Sequence, residues 1–162
     1  MFERLTDAAR RALIEAQGHA HRFGHRQVGT GHFLLGLAEA DGTAALFSAL
    51  GSGRDTLRER LLELAPARAE PTSGSLPFTP ALKEALELGI REALRRESNR
   101  ITTDHLLVGT VLVGDEPTRA LIERTGLTDP DRIRSEARRI REAGDPHRPA
   151  IRPITAEQVR QH

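Results

Sequence analysis

Residues 28–36 read Val-Gly-Thr-Gly-His-Phe-Leu-Leu-Gly, and residues 101–109 read Ile-Thr-Thr-Asp-His-Leu-Leu-Val-Gly. The second stretch lies 73 residues after the first, counted from Thr30 to Thr103, and repeats several of its residue types. The identical pairs are Thr30 with Thr103, His32 with His105, Leu34 with Leu107 and Gly36 with Gly109. A repeat of this kind predicts one supersecondary unit that the chain makes twice.

The repeat extends to both sides of these stretches. Upstream, Thr6 aligns with Thr79 at the same offset. Downstream, an insertion of two residues and then of one more raises the offset to 76, where Asp55 aligns with Asp131. Two copies predict a pseudo-symmetric pair rather than a long solenoid. Pairs of this kind usually bind another molecule and rarely catalyse a reaction.

Composition narrows the class of protein. Each repeat has only about 65–75 residues, a size that is marginal alone, so the two repeats are expected to share an interface. The chain has five Phe and neither Trp nor Tyr, which predicts a core of Leu and Ala and favours helices. Cysteine is absent, which excludes disulfides and thiol nucleophiles. The net charge of +1 predicts no general attraction to nucleic acid or anionic lipid, so neither nucleic acid nor membrane is a predicted partner. The chain has no long apolar run and is expected to be soluble and cytoplasmic.

Helix starts are predicted from capping residues. Thr6 and Thr79 precede apolar residues at helical spacing and are predicted N-caps, and Pro80 lies at the favoured first helical position. Thr30 and Thr103 are predicted to cap the next helix of each repeat.

Glycines inside the second helix of each repeat, Gly36 and Gly109, predict close helix packing because glycine costs about 1 kcal/mol there relative to Ala. The third helices are predicted at about 43–50 and 117–125, and the fourth at about 55–64 and 131–143. The predicted fold is all-α, with eight helices in two four-helix repeats related by a pseudo-twofold axis.

Four segments follow from this pattern. Residues 1–64 form repeat 1 and residues 78–143 form repeat 2, together in one compact domain. Residues 65–77 contain three prolines, two serines and a glycine and are predicted to be a linker. Residues 144–162 are predicted to be a flexible, mostly extended tail.

Motifs in both repeats resemble the N-terminal domain of Clp/Hsp100 unfoldases. Repeat 1 carries Phe-x-Arg-Leu-Thr at residues 2–6 and Gly-His-x-x-Val-Gly-Thr-x-His-x-Leu-Leu-Gly-Leu at residues 24–37. Repeat 2 carries Pro-Phe-Thr-Pro at residues 77–80 and Ile-Thr-Thr-Asp-His-Leu-Leu-x-Gly at residues 101–109. The first copy is most similar to the ClpC type. The resemblance covers about residues 1–143 and implies an eight-helix domain that docks substrates or adaptor proteins.

The resemblance implies a non-enzymatic, protein- or peptide-binding module. Lys83 is the only lysine and lies between Leu82 and Glu84, so no Walker A loop is present. The protein is therefore expected to contain no ATPase module and to bind no cofactor. It would act as an adaptor, substrate receptor or competitor for a Clp unfoldase–protease system, with the unfoldase, adaptors or substrates as partners.

The resemblance also indicates candidate binding residues. Phe2 and Phe78 match aromatic residues with which the family contacts peptides, and Arg4 and Thr79 adjoin them. A groove for a partner peptide is one interpretation of these aromatics, and a hydrophobic staple or packing between the repeats is the other.

A second set of positions matches the phosphoarginine sites of the family. ClpC-type domains carry a glutamate in each repeat that holds the guanidinium-phosphate group, and here the positions are Gly31 and Asp104. Repeat 1 has lost the carboxylate and repeat 2 has shortened it, so both sites are degenerate. The adjacent His32 and His105 are interpreted as structural histidines, with an imidazole that binds a ligand at a helix N-terminus as the alternative.

Other functions are weaker readings of the same sequence. His19, His21 and His25 could suggest zinc, but their spacing does not bring three ligands together, and no metal site is predicted. The Arg-rich region after residue 131 could belong to a small nucleic-acid-associated regulator, although acidic residues interrupt it. A protein that sequesters peptide antibiotics would use the same groove as a partner peptide. No catalytic motif is present, and no catalytic residue is predicted.

Overall fold

A computed structural model describes residues 2–123 and 125–144, and for Phe2 and Arg141 it describes the backbone alone. The predicted tail therefore lies outside the described residues, apart from Gly144. None of the helices in the described part of the chain is long and apolar enough to cross a membrane.

The described residues form eight α-helices after a short 3-10 helix at Phe2–Arg4, which confirms the all-α prediction. The helices are α1 (Asp7–Arg22), α2 (Thr30–Glu39), α3 (Ala44–Ala49), α4 (Arg54–Leu64), α5 (Pro80–Arg95), α6 (Thr103–Val113), α7 (Glu116–Ile122) and α8 (Pro130–Gly144). Helices α1–α4 form repeat 1 and α5–α8 form repeat 2. The third helix of each repeat is shorter than predicted, because Leu50 and Glu123 already act as C-caps.

Two short backbone pairings between the repeats express the pseudo-twofold axis. Leu5 pairs with Ile101, and Val28 pairs with Phe78. The offset of 73 residues converts one pairing into the other, since it carries Leu5 to Phe78 and Val28 to Ile101. The amide of Val28 donates to the carbonyl of Pro77, the residue before Phe78, at 2.9 Å. In the same way, the amide of Ile101 donates to the carbonyl of Arg4, the residue before Leu5, at 2.8 Å. The interface is therefore isologous, as in a twofold dimer.

Two predicted caps are confirmed. The Thr6 hydroxyl accepts a hydrogen bond from the amide of Ala9 at 3.1 Å, and the Thr79 hydroxyl accepts one from the amide of Leu82 at 3.2 Å. Each bond satisfies a backbone donor that the first turn of a helix leaves without an intrahelical acceptor.

The predicted caps at Thr30 and Thr103 are wrong by one residue, because α2 and α6 are capped by Gly29 and Thr102. The reason lies three residues further on, where each helix carries a histidine. His32 Nδ1 accepts from the amide of Gly29 at 3.0 Å, and its counterpart in α6 does the same for Thr102 at 3.1 Å. This histidine replaces the Glu or Gln of a usual capping box.

Thr30 and Thr103, the first helical residues, instead join the two repeats. The Thr30 hydroxyl donates to the Asp115 carboxylate at 2.7 Å, and the Thr103 hydroxyl donates to the carbonyl of Asp41 at 3.0 Å. Each bond runs to the loop after the second helix of the other repeat.

The predicted close packing at Gly36 and Gly109 is confirmed. A Cβ atom at Gly36 would overlap the carbonyl oxygen of Ala12, and one at Gly109 would overlap that of Ala85. Ala85 is the repeat-2 counterpart of Ala12. The first and second helices of each repeat therefore touch through their backbones, and side chains such as Phe33, Leu34 and Leu107 fill the core around them.

Residues 65–77, here called the connector, lie against the end of α1 and the following loop. The amides of Arg68 and Thr72 donate to the carbonyls of Phe23 and His21 at 2.9 and 3.0 Å. The connector packs so closely on Gly24 that a Cβ there would approach a connector carbonyl oxygen to 2.5 Å. Gly24 has a φ of +72°, so both its backbone conformation and its lack of a side chain are used.

Candidate binding sites on the two repeats

Four of the predicted site residues lie in two pockets. The repeat-2 pocket, of about 190 Å³, lies at the N-terminus of α6 and contains Asp104 and His105. The repeat-1 pocket, of about 320 Å³, is more open and contains His32 and Thr79. The other residues that line the repeat-2 pocket are Glu92, Arg96, Ser98, Thr102, Val108, Arg134 and Arg138. Those of the repeat-1 pocket are His25, Arg26, Gln27, Gly29, Ala65 and Arg68.

A buried ion pair forms one wall of the repeat-2 pocket. Glu92 is 3% exposed, and Arg134 of α8 holds both of its carboxylate oxygens at 2.8 Å. Arg96 adds a third bond at 3.3 Å. These bonds from Arg134 lower the pKa of Glu92, and the carboxylate in turn raises the pKa of Arg134. The pair joins α8 to α5 and keeps a charge inside the domain at the edge of the pocket.

Asp104 and His105 lie beside this wall on the first turn of α6. The Thr102 hydroxyl bonds to the Asp104 carboxylate, and the amide of Thr102 donates to His105 Nδ1. Asp104 is partly exposed, whereas His105 is buried. Asp104 can therefore meet a ligand in the pocket, while one ring nitrogen of His105 serves the helix cap.

The corresponding place in repeat 1 is filled. Gly31 is buried, and a Cβ there would lie 2.6 Å from Cδ1 of Leu61 on α4. The offset of 76 places Ala137 of α8 where repeat 1 has Leu61. A leucine thus covers the glycine in one repeat, and a smaller alanine accompanies the aspartate in the other. The structure does not bring Gly31 into the repeat-1 pocket.

His32 and His25 form a direct ring-to-ring contact in the repeat-1 pocket. His32 Nε2 lies 2.8 Å from His25 Nδ1, and His25 Nε2 lies 3.2 Å from the carbonyl oxygen of Pro66. Burial, and then the charges of His25 and His19, lower the pKa of His32 from 6.5 to about 4. His32 is therefore neutral at pH 7.

Three of the four predicted peptide-contacting residues can be located beside the two backbone pairings. Phe78 is half-buried against the core, and Thr79 caps α5 while it lines the repeat-1 pocket. Arg4 is exposed beside Ile90 and Leu94. The side chain of Phe2 lies outside the described residues. A binding role for these four residues stays a prediction.

The three histidines at the end of α1 have separate contacts and do not converge. His19 Nε2 bonds to Glu39 at 3.0 Å, His21 Nε2 lies 2.6 Å from the carbonyl of Gly74, and His25 contacts His32. In the described residues, Glu15, His19 and Glu39 do bring three potential metal ligands within 4.8 Å. Arginines surround this group: Arg22 approaches His19 Nδ1 at 3.0 Å, and Arg54 approaches Glu39 at 3.7 Å. Arg54 thus compensates the charge of Glu39.

Arginines of α8 are also matched by acidic residues. Arg134 contacts Asp131 in addition to Glu92, and Arg139 holds Glu136 at 2.8 Å. This interleaving of arginines with acidic residues is typical of a solvated helix with mixed charge.

Two pockets at the starts of corresponding helices in a duplicated four-helix unit agree with the resemblance that the motifs carry. The family model of the Clp repeat (R) N-terminal domain matches residues 4–139. The chain belongs to this family. Its motifs and its eight helices are thus those of a Clp repeat domain.

Sequence relatives of this Clp repeat domain are much longer proteins. The chloroplastic chaperone protein ClpC1 of Oryza sativa subsp. japonica is 34% identical over 142 residues, which cover 86% of this chain and 15% of that protein. The negative regulator of genetic competence ClpC/MecB of Bacillus subtilis is 33% identical over 130 residues, which cover 79% of this chain and 16% of that protein. The chain thus spans about a sixth of the relatives it matches.

Solved structures agree with the fold of this Clp repeat domain. The N-terminal domain of the caseinolytic protease associated chaperone ClpD from Arabidopsis thaliana superposes with a TM-score of 0.69 at 25% identity, covering 87% of this chain and 97% of that domain. The N-domain of ClpV from Vibrio cholerae reaches 0.63 at 14% identity, over 84% of this chain and 86% of that one, and supports the fold alone.

Sequence analysis missed the Glu92–Arg134 pair of this Clp repeat domain. A signal was present, because Glu92 falls on the face of α5 that also carries Leu82, Ala85, Leu86 and Gly89. An acidic residue in such an apolar stripe predicts a buried cation nearby. The His25–His32 contact had no comparable signal, since a loop that must turn back separates the two residues.

Proposed function

We propose that this Clp repeat domain is a non-enzymatic binding module that receives peptide segments of substrates or adaptor proteins in a Clp unfoldase–protease system. The open repeat-2 pocket, with the Asp104 carboxylate at its edge, carries this proposal. The sequence relatives support the choice of a Clp system, because ClpC1 is named a chaperone protein. The proposed role is that of a receptor, adaptor or competitor, and the nucleic-acid alternative gains no support from the paired arginines of α8.

The chemistry of the repeat-2 pocket favours a ligand that carries both a positive and a negative group. Asp104 can accept hydrogen bonds from a guanidinium group, while the exposed Arg138 offers a cation to an anionic group on the same ligand. Phosphoarginine has both groups. Because aspartate is one methylene shorter than the glutamate of ClpC-type domains, we expect the repeat-2 pocket to bind phosphoarginine weakly and repeat 1 not to bind it.

Calorimetric titration of the full chain with phosphoarginine tests the proposal. Asp104→Glu should raise the affinity about tenfold or more, since a charge-assisted hydrogen bond contributes about 1.5–3 kcal/mol. Asp104→Asn, of nearly the same size, is the matched control and should abolish binding. Gly31→Glu alone should add nothing because Leu61 occupies the space, whereas Gly31→Glu with Leu61→Ala should add a second site.

Two results would contradict this function. If the wild type binds phosphoarginine strongly and Asp104→Asn leaves the affinity unchanged, the repeat-2 pocket is not the receptor. ATP hydrolysis above background by the purified chain would contradict a non-enzymatic role. Peptide-antibiotic binding, the alternative that shares the surface around Phe78, would instead be lost in Phe78→Ala and kept in Asp104→Asn.

A further inference from the structure

An unbroken line of hydrogen bonds joins the start of α2 to the connector. It begins at the amide of Gly29, which donates to His32 Nδ1 at 3.0 Å. It continues from His32 Nε2 to His25 Nδ1 at 2.8 Å and ends at the carbonyl oxygen of Pro66, 3.2 Å from His25 Nε2. Both ends have fixed roles, because a backbone N–H can only donate and a carbonyl oxygen can only accept.

The fixed ends determine where the protons of the two rings lie. His32 Nδ1 accepts and therefore carries no proton, so the neutral ring holds its proton on Nε2 and donates it to His25. His25 Nδ1 accepts that bond, so its own proton lies on Nε2 and is donated to Pro66. Each ring has one proton, and all bonds point in one direction. A further proton on either ring must break a bond of this line.

A second histidine also contacts the connector. His21 Nε2 lies 2.6 Å from the carbonyl oxygen of Gly74. Protonation of His21 leaves this bond intact and strengthens it, since a charged ring still donates from Nε2. In the described residues His21 and His25 each donate from Nε2 to a connector carbonyl, and a charged ring keeps that bond; the bond that requires a neutral His25 is the one from His32 to its Nδ1.

We propose that the His25–His32 pair is a proton-sensitive latch that holds the first part of the connector over the repeat-1 pocket and releases it on acidification. A proton on His25 Nδ1 would face the N–H of His32 at hydrogen-bonding distance, so the rings must separate. His25 then moves away from α2 together with Pro66, to which it still donates, and the neighbouring contact at Arg68 opens. The pocket that His25 and Arg68 border contains Thr79 and Gly29. The latch goes beyond the proposed function, which uses the pocket of the other repeat.

Charged groups around the pair are mostly cationic. His19 faces it from α1, Arg26 and Arg68 line the same pocket from the loop and the connector, and Arg58 of α4 lies over the adjacent ring of Phe23. Glu70 of the connector lies beside Gly24, which it approaches through its backbone. Burial, and then the nearby positive charge, lower the pKa of His32, so this ring is neutral at pH 7 and the latch is closed there.

Amide hydrogen exchange on the full chain tests the latch. The amides of Arg68 and Thr72 report on the connector, and core amides of α6 report on global unfolding. After correction for the intrinsic pH dependence of exchange, connector protection should fall about tenfold or more between pH 7.5 and pH 5, while α6 stays protected. His25→Asn can accept from His32 and cannot titrate, so its connector protection should not depend on pH. His21→Asn, the matched control, should keep the wild-type pH dependence.

Two results would overturn the latch. One is connector protection in the wild type that is constant across this pH range. The other is a pH dependence in His25→Asn equal to that of the wild type. If His25→Asn does not fold, nitrogen-15 spectra of the wild-type rings decide the matter. At pH 7.5, Nδ1 of both His25 and His32 must be unprotonated, and a proton on either nitrogen rejects the proposal.

Discussion

The two repeats hold their fourth helices to their first helices in different ways. In repeat 1, the guanidinium of Arg58 on α4 lies 5.6 Å from the ring centre of Phe23. In repeat 2, the corresponding Arg134 on α8 makes a two-pronged ion pair with the buried Glu92, where repeat 1 has His19. One backbone plan thus tolerates either a cation over an aromatic ring or a buried salt bridge at the same place. Duplication preserves the backbone contacts and leaves the polar contacts free to diverge.

The ligand-facing sides of the repeats differ as well. Leu61 fills the space above Gly31 in repeat 1, while the alanine at the corresponding place in α8 coexists with Asp104 in repeat 2. The connector also lies against the end of α1, and two of its residues, Ala65 and Arg68, line the repeat-1 pocket. Repeat 2 is therefore the copy with an accessible carboxylate, whereas in repeat 1 Leu61 covers the matching position.

Removal of the corresponding arginines should separate the repeats most clearly. We expect Arg134→Ala to lower the free energy of unfolding by about 3 kcal/mol or more, because it leaves Glu92 buried with only the weaker bond from Arg96. Arg58→Ala should cost about 0.5–1 kcal/mol, the usual contribution of an exposed cation over an aromatic ring. Urea unfolding of both variants at pH 7, followed by circular dichroism, measures the difference. Equal losses would mean that the two fourth helices are held alike.

The repeats should also respond to different ranges of pH. Folding lowers the pKa of His32 from 6.5 to about 4, so the unfolded chain binds the extra proton first. The stability from His32 is full above pH 6.5 and decreases by about 3 kcal/mol as the pH falls to 4. Folding also lowers the pKa of Glu92, so its contribution is lost only below the ordinary value of 4.5.

His32→Gln isolates the repeat-1 part of this pH dependence. Glutamine at the same position can still accept from the amide of Gly29, as in a usual capping box, but it does not titrate. Stability measured from pH 7.5 to pH 4.5 should then decline less than in the wild type, and the remaining decline comes from His19, whose pKa burial also lowers. A wild-type decline that persists undiminished in His32→Gln would assign the pH dependence to other groups.

The smallest expected effect concerns the turn after the first helix of each repeat. Glu97 in repeat 2 has a φ of +54°, and its counterpart Gly24 has a φ of +72°. Because this conformation strains every residue that has a Cβ, Glu97→Gly should stabilise the chain by about 1 kcal/mol. Glu97→Ala is the control and should give no gain. Thermal unfolding compares the two, and an equal shift in both variants would point to the lost charge instead.

Local signals in the sequence were sufficient for much of the fold. Thr6 and Thr79 stand next to the amides that they cap, and Gly36 and Gly109 indicate contacts that any pair of tightly packed helices requires. The predictions at Thr30 and Thr103 missed by one residue because His32 and His105 act as cap partners, a role more usual for glutamate.

Contacts between distant parts of the chain could not be derived in this way. Leu61 covers Gly31 from a helix 30 residues further on, and nothing in either local segment indicates that they meet. The family resemblance identified Asp104 as a site position, but it did not identify the buried Glu92–Arg134 pair that forms the wall beside it. Helix ends and packing faces follow from nearby residues, whereas the shape of a pocket depends on several elements at once.

The exchanged pairings of Leu5 with Ile101 and of Val28 with Phe78 impose an order on synthesis. As the chain leaves the ribosome, Val28 cannot pair until Phe78 has emerged. Leu5 cannot pair until Ile101 has emerged, which is later. Neither repeat can complete its own backbone bonds from its own residues. During translation, repeat 1 therefore has unpaired backbone groups until repeat 2 emerges and supplies their partners. Repeat 2 gains its own partners from repeat 1 at the same time.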